Sequence, residues 1–358
     1  RLDASKMNRA VYLACPEPDL DDLKLTALSL SESMLREGGQ GVPLHQSIVE
    51  GLAVAYMALC KHMKKPGNRQ YFGLRDYYSL IKGIMFDTIQ KDYKEEQLYA
   101  VIRKQFACNF DDRFSESKII WRKFCEHLND EYKATQYPSP TFDQLLHQCL
   151  SSRNGRFLML IGDSETTFDY LQRYITMKYP SMQTRTLIGS TFSGDFLSKT
   201  TYTEQYNIRI LMDIILDAER SMTLFLRGLG HLYDNLYDLF NQSFAVSAKK
   251  KYCRIALGSL YHPRCVIHDE FYCVVFVKRQ DLDKYDLPFL NRFEKHLINI
   301  DTLIEDRYKD IASQLDQLIN QILGKHSNTN YPSKRHLFPE YNDNYTLDRK
   351  STRLNSSH

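Results

Sequence analysis

Four short apolar runs in the second half of the chain do most to limit its fold. FLMLIG (157–162), RTLIGS (185–190), MTLFLRGL (222–229) and FYCVVFVK (271–278) are each bounded by turn residues and separated by stretches of helical periodicity, at 166–178, 207–220 and 231–244. Runs this short and continuously apolar suit strands buried on both faces, and strands alternating with helices imply a parallel sheet covered on both sides. The first half reads differently. From residue 45 to 150 the pattern is helical, with Ile48, Leu52, Ala55 and Leu59 on one face and Leu74, Tyr77, Tyr78, Ile81 and Ile84 on another.

Punctuation divides the chain further. Residues 1–30 read as a loop, a strand at 10–14, a turn containing Pro16 and Pro18, and a helix from about Leu20. Two prolines in YPSPTFD (137–143) precede a further short helix, and SSRNGR (151–156) is the expected linker. Residues 301–324 carry another amphipathic pattern, whereas DRKSTRLNSSH (348–358) resembles translated sequencing-adapter read-through and is set aside as an artefact.

Composition excludes several functions. Hydrophobic residues at 43% and charged ones at 25% describe a globular protein, and a net charge of +3 with bases spread among acids leaves no concentrated patch for nucleic acid. The basic run AKKKYCR (248–254) reads as a solvated turn. Eight cysteines occur without a CxxC pair, and the histidines lack HxxxH or HExxH spacing, so reduced thiols and no metal site are expected. No apolar run reaches the ~18 residues of a membrane span, no signal peptide precedes Arg1, and a chain without an initiator Met reads as a piece of something longer.

The place for a phosphate-binding loop is 162–169, after the first strand and opening a helix. A working loop needs GxxxxGK with Ser or Thr next, because backbone amides cradle the phosphates, lysine neutralises them and the hydroxyl holds magnesium. The sequence there is GDSETTFD: Gly162 survives, but Thr167 replaces the second glycine, Phe168 the lysine and Asp169 the hydroxyl. The strand that should end in magnesium-binding acids ends in Arg227, Gly228 and Leu229. Asp269 and Glu270 in RCVIHDE read as a hairpin turn leading into the next strand, and Lys278, Arg279 and Gln280 stand where a sensing amide is usual. ATP hydrolysis by residues 152–300 is therefore not expected. Tyr233, Leu236, Tyr237 and Phe240 form an aromatic stripe expected to be core, and no GxSxG elbow supports a hydrolase triad.

Three arginines carry the positive signal. LPFLNRFEKHLI (287–298) places Arg292 ahead of an expected amphipathic helix, ASKMNRAVYL (4–13) places Arg9 in a similar Asn-Arg pair, and YFGLRDYYSLIKGI (71–84) opens a helix with Gly-Leu-Arg at Arg75. These strings, with GLGHLYDNLYDLFNQ (228–242), resemble the mysterin-like giant AAA+ RING-type ubiquitin ligases, over residues 1–305. The resemblance implies an α/β fold in which a helical AAA+ lid is followed by a degenerate, P-loop-like core. It places 1–44 at the end of a preceding (fourth) core, 45–150 in its lid, 152–300 in the fifth core and 301–347 at the start of the next lid. It implies that Arg292 and Arg9 act as fingers on neighbouring nucleotide sites and Arg75 as a sensor arginine, since a planar guanidinium suits a γ-phosphate. The alternative is pairing with nearby acids: Arg75 with Asp76 or Asp87, Arg292 with Glu294.

What else the resemblance implies lies outside these residues. ATP and magnesium would bind at upstream units, zinc would sit in RING elements elsewhere, and partners would be neighbouring AAA+ units, a ubiquitin-conjugating enzyme and ubiquitin. A cytoplasmic, lipid-droplet-associated protein is implied. A dynein- or midasin-type motor shares the degenerate units and arginine placement. A helical scaffold would be indicated if 157–278 formed no parallel sheet.

Overall fold

A computed structural model describes residues 16–38, 44–89, 95–115, 117–128, 137–152, 155–189, 201–257 and 261–298, with a few positions between 313 and 321. The expected strand at 10–14, Arg9 and almost all of the 301–324 helix lie outside the described residues.

The first half is helical: α1 (Leu20–Gly38), α2 (Gln46–Met63), α3 (Leu74–Ile89), α4 (Glu95–Asn109), α5 (Lys118–His127) and α6 (Phe142–Ser152). Each helix buries one stripe. In α2 this includes Ile48, Leu52, Ala55 and Leu59, and in α3 Tyr77, Leu80, Ile81 and Ile84. Rings of Tyr56, Tyr77, Phe72, Phe106, Phe110, Trp121 and Phe124 interlock between the helices at centroid separations of 5.0–6.4 Å, within the range of attractive aromatic pairs.

The second half is an α/β layer. Five parallel strands, β1 (Phe157–Gly162), β2 (Thr184–Ile188), β3 (Thr223–Arg227), β7 (Tyr272–Lys278) and β8 (Phe293–Leu297), lie in the order β2-β3-β7-β1-β8. Helices α7 (Glu165–Lys178) and α8 (Thr201–Ala218) are the crossovers. Every residue of β1 is buried, as continuous apolar patterning demands of a strand covered on both faces. The four expected strands and the parallel pairing are present, and the free-standing helical scaffold is excluded.

Three expectations need correction. The amphipathic helix after Arg292 is instead the edge strand β8, paired in parallel with β1 from Phe157↔Phe293 to Ile161↔Leu297. Helix-forming Glu294, Lys295 and Leu297 are overruled because sheet pairing satisfies the backbone while Phe293 and Leu297 still reach the core. The expected helix at 231–244 is a 3-10 segment (Gly230–Leu236) followed by the single-turn α9 (Tyr237–Phe240). Finally, the basic run is not only a turn. It contributes to a separate antiparallel sheet of β4 (Ala245–Ser247), β5 (Lys250–Arg254) and β6 (Arg264–Ile267), with Ala248 and Lys249 at positive φ in the tight connection.

Candidate functional site

In an open parallel sheet, ligands bind beyond the carboxyl ends of the strands near the point where strand order reverses. Here β1 sits between β7 and β8, and the ends of β1, β3 and β7 present Gly162, Arg227 and Lys278. Only Asp163 and Ser164 separate β1 from α7, whose first turn is capped by the Ser164 hydroxyl accepting from the Thr167 amide at 3.2 Å. The turn is shorter than the GxxxxGK loop that cradles phosphates. Phe168, where a lysine would reach the phosphates, is 1% exposed and packs on Phe276 with centroids 4.8 Å apart.

Charges at this end are reversed relative to a magnesium-nucleotide site. The carboxylates are on the helix and the cations on the strand ends. Arg227 donates from Nε to Glu165 and from Nη1 to Asp169 at 2.6 Å, while Lys278 lies 2.9 Å from Glu165. Burial pushes the Glu165 carboxyl up, but hydrogen bonds from Lys278 and Arg227 outweigh it and hold the group below its ordinary range. Asp269 and Glu270 lie in the exposed turn between β6 and β7, bonded to Lys251 and Ser221, away from this end.

The arginines gather elsewhere, at the junction of the two halves. A cleft of about 520 Å³ is lined from the helical side by Lys61, Lys64, Gly73 and Arg75, and from the α/β side by Tyr237, Asn291 and Arg292. The Gly-Leu-Arg and Asn-Arg elements, 218 positions apart, touch: a Cβ on Gly73 would lie 2.2 Å from Asn291 Nδ2, so any side chain there would force Asn291 to move. Asp286 caps the single-turn α10 (Leu287–Leu290) by accepting from the Phe289 amide at 2.9 Å, and this turn delivers Arg292 to the cleft wall.

Neither arginine has the acid partner that the alternative reading assigned. Glu294 instead accepts from Cys149 at 2.8 Å and pairs with His296 at 3.0 Å. Asp76 is fully buried and holds Arg156 at 2.6 Å and Lys295 at 2.9 Å, and Asp87 takes Lys104 at 2.9 Å. Arg75, exposed at the start of α3, donates to the side-chain oxygen of Asn241. Arg292 is 8% exposed and stacks over Tyr237 at 4.1 Å and Phe289 at 5.8 Å. Burial lowers its pKa, and the nearby Arg75 charge adds to that. Among the described residues its Nε and the Asn291 Oδ1 are buried without a hydrogen-bond partner, and no carboxylate pairs with Arg75 or Arg292. Two facing cations and an unused buried donor suit an anion. Of the aromatic stripe, Tyr233, Leu236 and Phe240 are core as expected, but Tyr237 is 51% exposed and serves as the platform for Arg292.

Local spacing could not reveal the residues that hold the junction. Asp76 bonds the Gly73 amide at 2.8 Å, and Arg156 reaches Asp76, the Asn291 carbonyl at 3.0 Å and Asn109 at 2.9 Å. Lys295, 0% exposed, completes the group, and burial pushes its pKa down to about 8 despite Asp76. The one sequence hint was a lysine between Phe293 and Leu297, legible only once 293–297 is known to be a strand.

Residues 147–304 match the model of the RNF213 AAA domain. The chain is 27% identical over 333 residues to E3 ubiquitin-protein ligase rnf213-beta of Danio rerio, covering 90% of this chain and 6% of that protein. It is 25% identical to E3 ubiquitin-protein ligase RNF213 of Mus musculus and 27% to that of Homo sapiens, each over 334 residues, 88% of this chain and 6% of the relative. The chain is thus RNF213-like along most of its length and spans about 6% of the length of these relatives. No helix among the described residues is long and apolar enough to cross a membrane.

Proposed function

We propose that this RNF213-like segment is the lid of one AAA+ unit (45–150) joined to the core of the next (152–300), and that the core binds no nucleotide but lends Arg292 to the site of its neighbour. The observation that carries this reading is the convergence of Arg75 and Arg292 on one cleft without acid partners. A sensor arginine from the lid and a finger from the following core would meet a triphosphate there from two sides. Stacking on Tyr237 presets the guanidinium plane, so little reorganisation is needed when charge develops on the γ-phosphate. ATP and magnesium would be held chiefly by residues upstream of this segment. Arg9 would serve the unit before that.

At the core's own strand ends, Glu165 and Asp169 would repel phosphates, and Arg227 and Lys278 would repel magnesium. Kinship with the E3 ubiquitin-protein ligases supports reading the parent protein as a ubiquitin ligase that works with a ubiquitin-conjugating enzyme and ubiquitin; RING zinc outside this segment and a cytoplasmic, lipid-droplet-associated location are what the sequence resemblance implies. In a longer chain that includes the preceding unit, Arg75→Ala is expected to weaken nucleotide affinity or turnover without lowering the melting temperature. Unchanged affinity and rate would remove Arg75 from the site.

A further inference from the structure

Where α6 packs on β8, donors from two distant parts of the sequence converge. Cys149 on α6 and Glu294 and His296 on β8 bring one sulfur, one oxygen and one nitrogen within 4.8 Å of each other. Sγ lies 2.8 Å from the Glu294 carboxylate and 3.8 Å from His296 Nε2, and Nε2 lies 3.0 Å from that carboxylate. A tetrahedral zinc ion with bonds of about 2.0 to 2.3 Å sets such donors roughly 3.4 to 3.6 Å apart, so small side-chain rotations bring all three to one ion.

The surroundings match what a ligating histidine needs. Its other nitrogen, Nδ1, lies 3.4 Å from Asp111, whose carboxylate is fixed by the Leu297 amide at 2.8 Å and Arg113 Nε at 2.7 Å. A carboxylate behind the ring selects the tautomer that leaves Nε2 free for metal. Arg113 Nη2 also stands 3.2 Å from Nδ1 and supplies positive charge; because a guanidinium only donates, this contact must give way to Asp111 when Nε2 binds metal. With Cys149 as thiolate, three negative charges (Cys149, Glu294, Asp111) meet three positive ones from zinc and Arg113. Cys108, Cys149 and Glu294 border a cavity of about 340 Å³ that gives an ion a way in.

We propose that Cys149, Glu294 and His296 form a three-ligand zinc site that clamps the helical half to the edge strand. Thiolate and imidazole together favour zinc over magnesium or calcium. The clamp ties α6 to a strand whose first residue follows Arg292, so it would fix the height of that arginine over the cleft. The inference does not depend on the nucleotide reading.

The test is elemental analysis of the chain purified without chelators, with cobalt substitution beside it. The expected result is about one zinc per chain, and a thiolate-to-cobalt charge-transfer absorption on exchange. Cys149→Ser and His296→Ala should each lose the metal, Cys125→Ser should keep it, and Asp111→Asn should weaken zinc affinity about 10 to 100-fold. The cobalt spectrum of the unaltered chain needs no variant to fold. Absence of both zinc and the cobalt-thiolate band, or full zinc in Cys149→Ser, would overturn the site.

Discussion

At the scale of single residues, the junction rests on charges placed where water does not reach. Lys295 is the most constrained, because its ammonium is fully buried against Asp76. Its pKa of about 8 lies below the ordinary lysine value, so between those two limits the unfolded chain holds more protons than the folded one, and raising the pH favours folding. Stability is therefore expected to climb from about pH 8 towards pH 10, and chemical denaturation of Lys295→Met should show that slope flattened; an unaltered slope would assign it to another group. Arg75 and Arg292 could be singled out from short strings, because the sensor and finger arrangements expected of them are defined relative to local turns. Their surroundings were not readable, since Arg156, Tyr237 and Asn241 are distant in sequence and packing decides the pairing: Asp76, though adjacent to Arg75, holds Arg156 and Lys295 instead.

At the scale of elements, the buried strands β1, β3 and β7 and the crossover helix α7 could be read because continuous apolar runs and 3.6-residue periodicity are local signals; β2 could be placed as well, but it is a partly exposed edge strand, not one covered on both faces. The element after Arg292 could not. Its five residues include Glu, Lys and His, and only pairing with β1 makes them a strand. The same limit hid the 3-10 segment at 230–236 and the small sheet of β4, β5 and β6. The degenerate phosphate loop was legible as a loss of residues, but the structure adds that Phe168 is structural: it stacks on Phe276 and lies against Gly162. Phe168→Ala is expected to cost about 3 to 5 kcal/mol, the usual range for emptying a phenylalanine site in a core. Equilibrium denaturation would measure it, and a loss under ~1 kcal/mol would mean that the site is loosely packed.

At the scale of the whole molecule, one continuous core runs from the helices into the sheet, and the arginine cleft opens where they meet. Under the proposed function, that arrangement would let a segment with a reversed-charge strand end still bear on nucleotide chemistry next door. The chain alone, titrated calorimetrically with ATP and magnesium, is expected to show no micromolar binding that depends on residues 162–169; such binding, lost on mutation there, would refute the inactive core. The central claim concerns Arg292, and steady-state ATPase rate measured beside melting temperature tests it most directly, in a chain that includes the preceding unit. Arg292→Ala should cut turnover by a factor approaching the 10³ to 10⁵ typical of arginine fingers, and Arg292→Lys should rescue poorly because a point charge cannot reproduce the planar fork. Loss of stacking on Tyr237 should cost the fold only about 0.5 to 2 kcal/mol. A normal rate in Arg292→Ala, or full rescue by lysine, would contradict the account.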